Sequence, residues 1–132
     1  MKLVIYAPPF EKTARNVLNC LRSRYDGPDT VYLPALEDLE TYLRRPSHLG
    51  RLLVLMPKDR HELNTLTALA YLMRDAGLIL VLPEDEHGMN AQSHLLRPRF
   101  VTYNDCDPSH IIAVVDNLME TDSALPMKAV HY

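Results

Sequence analysis

Two unbroken apolar runs dominate the hydrophobic pattern of the chain. The first is Leu52–Met56, which lies between Gly50 and Pro57. The second is Leu78–Leu82, which ends at Pro83. An alternating run would indicate a strand with one solvated face, whereas an unbroken run is typical of a strand that helices cover on both faces of a parallel sheet. The pattern therefore predicts two buried strands at the centre of an α/β sheet.

Shorter apolar stretches predict the remaining strands, at Lys2–Ala7, Val31–Leu33 and Phe100–Tyr103. Between the strands, apolar residues recur at helical spacing. This spacing predicts helices from about Phe10 to Arg24, from Pro34 to about Arg44, from Asp59 to about Ala76, from Gly88 to Arg97 and from Pro108 to about Glu120. Asp59 followed by Glu62 is a capping-box pattern, and Asp107-Pro108 fits a helix start. The Gly88–Arg97 helix has the poorest apolar stripe.

Strand and helix alternate along the whole chain, with short connections. This pattern predicts right-handed crossovers and a three-layer, doubly wound parallel sheet of five strands. Five such strands suit the flavodoxin-like order 2-1-3-4-5, which places Leu52–Met56 at the centre. The prediction is thus one α/β domain over residues 1–120. Residues 121–132 show no period and are predicted to be a C-terminal tail.

Composition and charge exclude several classes of protein. The chain has 132 residues, 47% of them apolar and 23% charged, which is typical of a single globular domain. Its net charge of −3 lacks the basic character expected of a nucleic-acid-binding protein. No apolar run approaches the roughly 18 residues of a membrane span. Cys20 and Cys106 are far apart and lack metal-site spacing, so we expect two reduced thiols in a cytoplasmic protein.

Ligands of such folds bind beyond the carboxyl ends of the strands, and the motifs expected there are missing. A phosphate cradle needs backbone N–H groups, but the first strand is followed by Pro8-Pro9, which have none. There is no dinucleotide-binding glycine motif, no Walker A lysine and no nucleophile elbow. His61-Glu62 begins like a zinc-binding helix motif, but Thr65 stands where the second histidine should be. The sequence therefore predicts no cofactor, no metal ligand and no catalytic residue.

One alternative concerns the acidic residues that follow the strands. They are Asp59, the loop Glu84–Glu86, and Asp105 and Asp107. Clustered carboxylates can hold a divalent cation. Charged side chains also commonly cap a sheet edge in water, which is the interpretation we favour. The sequence leaves a cation site in the Glu84–Glu86 and Asp105–Asp107 loops as an open possibility.

In its architecture, the chain from about residue 2 to residue 120 resembles the receiver domains of bacterial two-component response regulators. Receivers carry an acidic pair after the first strand, a phosphoacceptor aspartate after the third, a hydroxyl residue after the fourth and a lysine-proline pair after the fifth. The matching positions here are Tyr6 and Ala7, Met56 or Pro57, Pro83, and Tyr103-Asn104. Phe100 matches the receiver's switch aromatic. The resemblance implies a degenerate receiver that kept the scaffold and lost the phosphorylation chemistry.

The resemblance also implies a function in signal transduction. We expect a phosphorylation-independent protein-interaction module rather than an enzyme. This module would bind a protein partner or a second copy of itself through its fourth helix, fifth strand and fifth helix. Arginine and aromatic residues are enriched at interfaces. The candidate face therefore comprises Leu95, Arg97, Arg99, Phe100 and Tyr103. The alternative is a flavodoxin-like small-molecule-binding domain or enzyme, with its ligand at the carboxyl ends of the strands.

Overall fold

Strands and helices alternate in the computed structural model, which describes residues 2–8, 12–45, 50–83, 89–103 and 105–123. The strands are β1 (Lys2–Tyr6), β2 (Thr30–Leu33), β3 (Arg51–Leu55), β4 (Gly77–Leu82) and β5 (Phe100–Tyr103). The helices are α1 (Lys12–Arg24), α2 (Leu36–Leu43), α3 (Arg60–Ala68), α4 (Met89–Ser93) and α5 (Pro108–Ser123). Among these helices, none combines the length and apolarity that a bilayer span requires.

The five strands form one parallel sheet in the order β2-β1-β3-β4-β5. This flavodoxin-like α/β arrangement confirms the predicted fold class and strand order. The central strand β3 pairs with β1 on one side and with β4 on the other, so that Val54 lies between Ile5 and Ile79. Because all strands run in one direction, they begin at one edge of the sheet, the amino edge, and end at the opposite carboxyl edge.

The sheet separates two apolar layers, and β3 contributes to both because successive side chains of a strand point to opposite faces. Leu53 and Leu55 pack in the layer of α2 and α3, and Leu52 and Val54 in the layer of α1 and α5. All four are at most 1% exposed. Full burial of such a side chain contributes roughly 1.5–3 kcal/mol. The unbroken apolar run is therefore buried on both faces, as its pattern predicts.

The third helix is shorter than predicted. The predicted helix from Asp59 to about Ala76 is divided into α3, which ends at Ala68, and a 3-10 turn at Ala70–Leu72. Thr65 and Thr67 donate side-chain hydrogen bonds to backbone carbonyls one turn earlier, at 3.2 and 2.9 Å. Such bonds compete with the helical ladder and favour a tightened last turn.

The fourth helix is shorter than predicted. Its five residues, Met89–Ser93, continue into a 3-10 turn, His94–Leu96. Arg97 then adopts a left-handed conformation with φ 52° and ψ 54°, and Pro98 follows. A left-handed residue and a proline both end a helix. The predicted starts of this helix at Gly88 and of the first helix at Phe10 lie outside the described residues.

The last helix, α5, begins as predicted and extends further than its pattern indicates. Asp107 Oδ1 accepts a hydrogen bond from Ser109 N at 3.0 Å, and Pro108 is the first helical residue. The helix continues to Ser123, within the segment predicted to be a tail. Residues 124–132 lie outside the described part of the chain.

Candidate functional site

At the carboxyl edge of the sheet, the residues that follow β1 and β3 extend the backbone ladder. Beyond the last paired residues of β1 and β3, Met56 N donates to Tyr6 O at 2.9 Å. On the other side of β1, Ala7 N donates to Leu33 O at 3.1 Å. Binding of an anion at this edge would need free N–H groups that converge on it. The amides of Ala7 and Met56 already belong to the sheet ladder, and proline at position 8 has no N–H.

The side chains at the same edge are part of the core. Tyr6 and Met56 are both 0% exposed, and Pro8 and Pro57 are buried. Tyr6 packs in the layer of α2 and α3, whereas Met56 packs in the layer of α1 and α5. Of the positions that the receiver resemblance matches to the acidic pair and the phosphoacceptor, Tyr6, Met56 and Pro57 are thus buried and Ala7 is half-buried. Tyr6 and Met56 point to opposite faces of the sheet.

The start of α3 lies next to this edge and is tightly capped. Asp59 Oδ1 accepts a hydrogen bond from Glu62 N at 2.9 Å, as the capping-box pattern predicts. In return, Glu62 Oε1 accepts from Lys58 N at 3.0 Å, one residue before the cap. The carboxylate of Glu62 is therefore folded back over the carboxyl edge, and Glu62 is only 8% exposed. A carboxylate in this place also interacts favourably with the positive end of the helix dipole.

Tyr6 and Glu62 form a buried polar pair that sequence reasoning missed. The Tyr6 hydroxyl has no partner with full hydrogen-bond geometry among the described residues, but it lies close to the Glu62 carboxylate. Burial, followed by the nearby Glu62, raises the pKa of Tyr6 far above that of a free tyrosine. Tyr6 is therefore a neutral phenol at every physiological pH, so that it can donate a hydrogen bond but cannot act as a phenolate nucleophile. Its position at the end of a buried strand, beside the strand that leads into α3, was the available signal.

Two of the described acidic residues of the carboxyl edge, Asp59 and Asp107, serve helix starts. Asp59 caps α3, and the backbone and side chain of Ser109 hold the pKa of Asp107 below its usual value. Asp105 is exposed. In the described ranges no three His, Cys, Asp or Glu side chains are gathered as metal ligands. The loop Glu84–Glu86 lies outside these ranges.

The predicted interaction face divides into a surface part and a core part. Leu95 is 66% exposed, and Arg97 and Arg99 are exposed beside it in the connection that leads into β5. Phe100 is half-buried against the layer of α1 and α5, and Tyr103 is half-buried against the opposite layer. The structure thus brings Leu95, Arg97 and Arg99 together at the amino edge. Tyr103 lies at the other end of β5, roughly 10 Å away along the strand.

The surface part is held in a fixed backbone conformation. Arg97 N donates to His94 O at 3.1 Å, and Arg99 N donates to Leu78 O at 2.7 Å, which ties the connection to the start of β4. Arg97 is also the one non-glycine residue with positive φ in the described part of the chain. For an L residue this conformation costs roughly 1–2 kcal/mol. A fixed backbone lowers the conformational entropy that this segment would lose on binding.

The protein is a flavodoxin-like α/β domain, and in the described part of its carboxyl edge Tyr6, Met56 and the prolines at positions 8 and 57 are buried. Comparison of the chain with protein-family models, curated proteins and solved structures returned no significant match. The resemblance to receiver domains therefore stays a prediction, based on the strand order and on the residues at the strand ends.

Proposed function

We propose that the protein is a phosphorylation-independent signalling module, a degenerate receiver that acts by binding a protein partner or a second copy of itself. One observation carries this proposal: Tyr6 and Met56 are fully buried at the positions where a receiver places its acids. Acyl-phosphate formation needs a magnesium ion to neutralise the phosphoryl oxygens and carboxylates to hold it. The side chains at this edge supply a neutral phenol, a thioether and prolines instead.

The same geometry disfavours the small-molecule alternative. A ligand at the carboxyl edge would need open space and free backbone donors. Pro8, Met56 and Pro57 are buried there, and the amide of Met56 is bonded to β1. An exposed contact surface is better supported, because Leu95, Arg97 and Arg99 are all accessible on a tethered backbone. On this proposal the module works in a bacterial cytoplasm, in keeping with its free cysteines, Cys20 and Cys106.

The first experiment tests the loss of phosphorylation chemistry. The protein is treated with acetyl phosphate and magnesium, and its intact mass is measured beside that of an active receiver domain as a positive control. We expect no mass increase in this protein. An adduct of about 80 daltons, the mass of one phosphoryl group, would refute the proposal.

The second experiment tests the contact surface with the double variant Arg97→Glu, Arg99→Glu. We expect it to abolish self-association or partner binding while its melting temperature stays close to that of the wild type, because both side chains are exposed. The matched control is Arg22→Glu, Lys58→Glu, which reverses two other exposed cations. Sedimentation velocity and a thermal melt are measured on all three proteins. A wild type that stays monomeric at high concentration and binds no partner through this segment would end the proposal.

A further inference from the structure

Basic residues gather at the amino edge of the sheet. Lys2 and Arg51 are the first residues of β1 and β3 and are paired in register. Arg74 lies in the turn before β4, and Arg97 and Arg99 precede β5. Two more arginines, Arg44 and Arg45, follow the C-terminal end of α2, where the chain returns to the amino edge before β3. We call the six arginines of this edge the arginine strip: Arg44, Arg45, Arg51, Arg74, Arg97 and Arg99.

Contacts between the elements hold the strip together. Arg51 Nη2 donates to Arg45 O at 2.6 Å, and its guanidinium lies 5.2 Å from the centre of the Tyr42 ring. Arg44 Nη2 donates to the hydroxyl of Tyr71 at 2.9 Å, which links the end of α2 to the turn after α3. Further along the edge, the Arg99 side chain lies beside Gly77, the first residue of β4, on the sheet face that carries Leu52. These contacts fix Arg44, Arg51 and Arg99 against neighbouring elements at the amino edge.

The positive charge of the strip is largely uncompensated. Among the described residues, the ion pair that involves the strip is the one between Arg44 and Glu40, at 3.0 Å, while Asp29 and Asp75 also precede strands at this edge. Helix dipoles explain part of this arrangement, because cations are favourable at the C-terminal end of α2. That effect accounts for Arg44 and Arg45. It does not account for the arginines that precede strands, and the excess is opposite in sign to the net charge of −3.

Apolar side chains accompany the charge. In the described part of the chain the large hydrophobic residues with high exposure are Tyr71, at 52%, and Leu95, at 66%. Both lie beside the strip, since Tyr71 accepts a hydrogen bond from Arg44 and Leu95 is two residues before Arg97. Arginine and tyrosine beside an exposed apolar side chain is the composition of a protein-binding surface. The net charge of −3 disfavours a nucleic acid as the ligand of this surface.

We infer that the arginine strip binds an acidic segment of a protein partner, with Tyr71 and Leu95 contacting apolar residues of that segment. The inference rests on the proposed function and deepens it, because Arg97 and Arg99 belong to both surfaces. It extends the contact surface along the amino edge to the end of α2, and it assigns the partner a chemistry, namely carboxylates interspersed with apolar side chains.

The test uses a fluorescent peptide of alternating glutamate and leucine blocks, with a lysine-for-glutamate peptide and a DNA duplex as comparison probes. Binding to the full chain is measured by fluorescence anisotropy at increasing salt. We expect the acidic peptide to bind, and its affinity to fall about tenfold or more between roughly 0.05 and 0.5 M salt, because exposed charge pairs are screened. No binding of the acidic peptide, or tighter binding of the duplex, would overturn the inference.

The decisive variant is Arg45→Glu, Arg74→Glu. Both side chains are exposed, and neither makes a hydrogen bond or an ion pair within the described ranges, so folding should be retained. We expect this variant to lose about tenfold or more in affinity for the acidic peptide. The control variant Arg22→Glu, Lys58→Glu carries the same change in net charge and should stay within about twofold of the wild type, since it lies off the strip. An equal loss in both would mean that net charge alone acts, and the inference would be wrong.

The two proposals fail in different ways. If Arg97→Glu, Arg99→Glu removes self-association or partner binding but Arg45→Glu, Arg74→Glu leaves peptide affinity unchanged, the proposed function stands and the strip is refuted. If the chain accepts a phosphoryl group from acetyl phosphate and still binds the acidic peptide through Arg45 and Arg74, the strip stands and the phosphorylation-independent function is refuted. Thermal melts of every variant exclude unfolding as the cause of lost binding.

Discussion

The central strand should carry a decisive share of the stability, and Val54→Asp tests this. Val54 is 0% exposed and lies between Ile5 and Ile79 in the sheet, with α1 and α5 above it. The residues of its layer are apolar, so that a new carboxylate would find no cation to pair with. Instead of entering the core charged, the carboxyl would take up a proton.

The cost can be worked out from this geometry. At pH 7, protonating an aspartate whose unfolded pKa is about 3.9 costs roughly 4 kcal/mol, at 1.36 kcal/mol per pKa unit. Loss of the buried valine side chain adds roughly 1.5–3 kcal/mol. The sum, about 6 kcal/mol, is comparable to the whole stability of a typical domain, roughly 5–15 kcal/mol. We therefore expect Val54→Asp to be largely unfolded or to melt far below the wild type at pH 7.

Urea unfolding at two pH values separates the charge from the loss of packing. Val54→Asn is the matched control, because it has a similar polar side chain that does not titrate. Between pH 7 and about pH 4.5 the protonation cost falls by roughly 3 kcal/mol, so Val54→Asp should regain that much stability relative to Val54→Asn. A soluble Val54→Asp protein that unfolds at the wild-type urea concentration at pH 7 would show that β3 is not buried on both faces.

Two further predictions concern the carboxyl edge. Burial raises the pKa of Tyr6 in the folded state. The contribution of this residue to the free energy of unfolding is therefore fully present below about pH 10, the pKa of tyrosine in the unfolded chain, and is lost as the pH rises further. Above pH 10, the free energy of unfolding in urea should therefore fall less steeply with pH for Tyr6→Phe than for the wild type. The two slopes should differ by at most about 1.4 kcal/mol per pH unit, and identical slopes would contradict the burial of this hydroxyl. Asp59→Ala removes the cap of α3 and should lower the free energy of unfolding by about 1 kcal/mol, whereas Asp59→Asn, which can still accept the bond from Glu62 N, should lower it much less. Equal losses in the two variants would mean that this hydrogen bond does not stabilise the helix start.

The sequence alone predicts the fold because the signals that define it are local. An unbroken apolar run reports that a strand is covered on both faces, and Leu52–Met56 and Leu78–Leu82 are indeed the buried centre of the sheet. Alternation with amphipathic helices, and the handedness of their crossovers, then leaves few possible strand orders. The cap at Asp59 was equally readable, since it involves residues three positions apart. The end of α3 could not be predicted, because the hydrogen bonds from the threonine side chains to backbone carbonyls compete with a helical pattern that looks continuous in the sequence.

The candidate sites depended on the tertiary structure, because they join residues that are distant in sequence. Tyr6 meets Glu62 only because β1 and β3 are neighbours and α3 starts above them. Phe100 and Tyr103 sit on opposite faces of β5, which a list of interface-type residues does not reveal. The arginine strip shows the difference most clearly. A net charge of −3 averages over the chain, whereas parallel strands gather every strand start at one edge and so place the arginines together there.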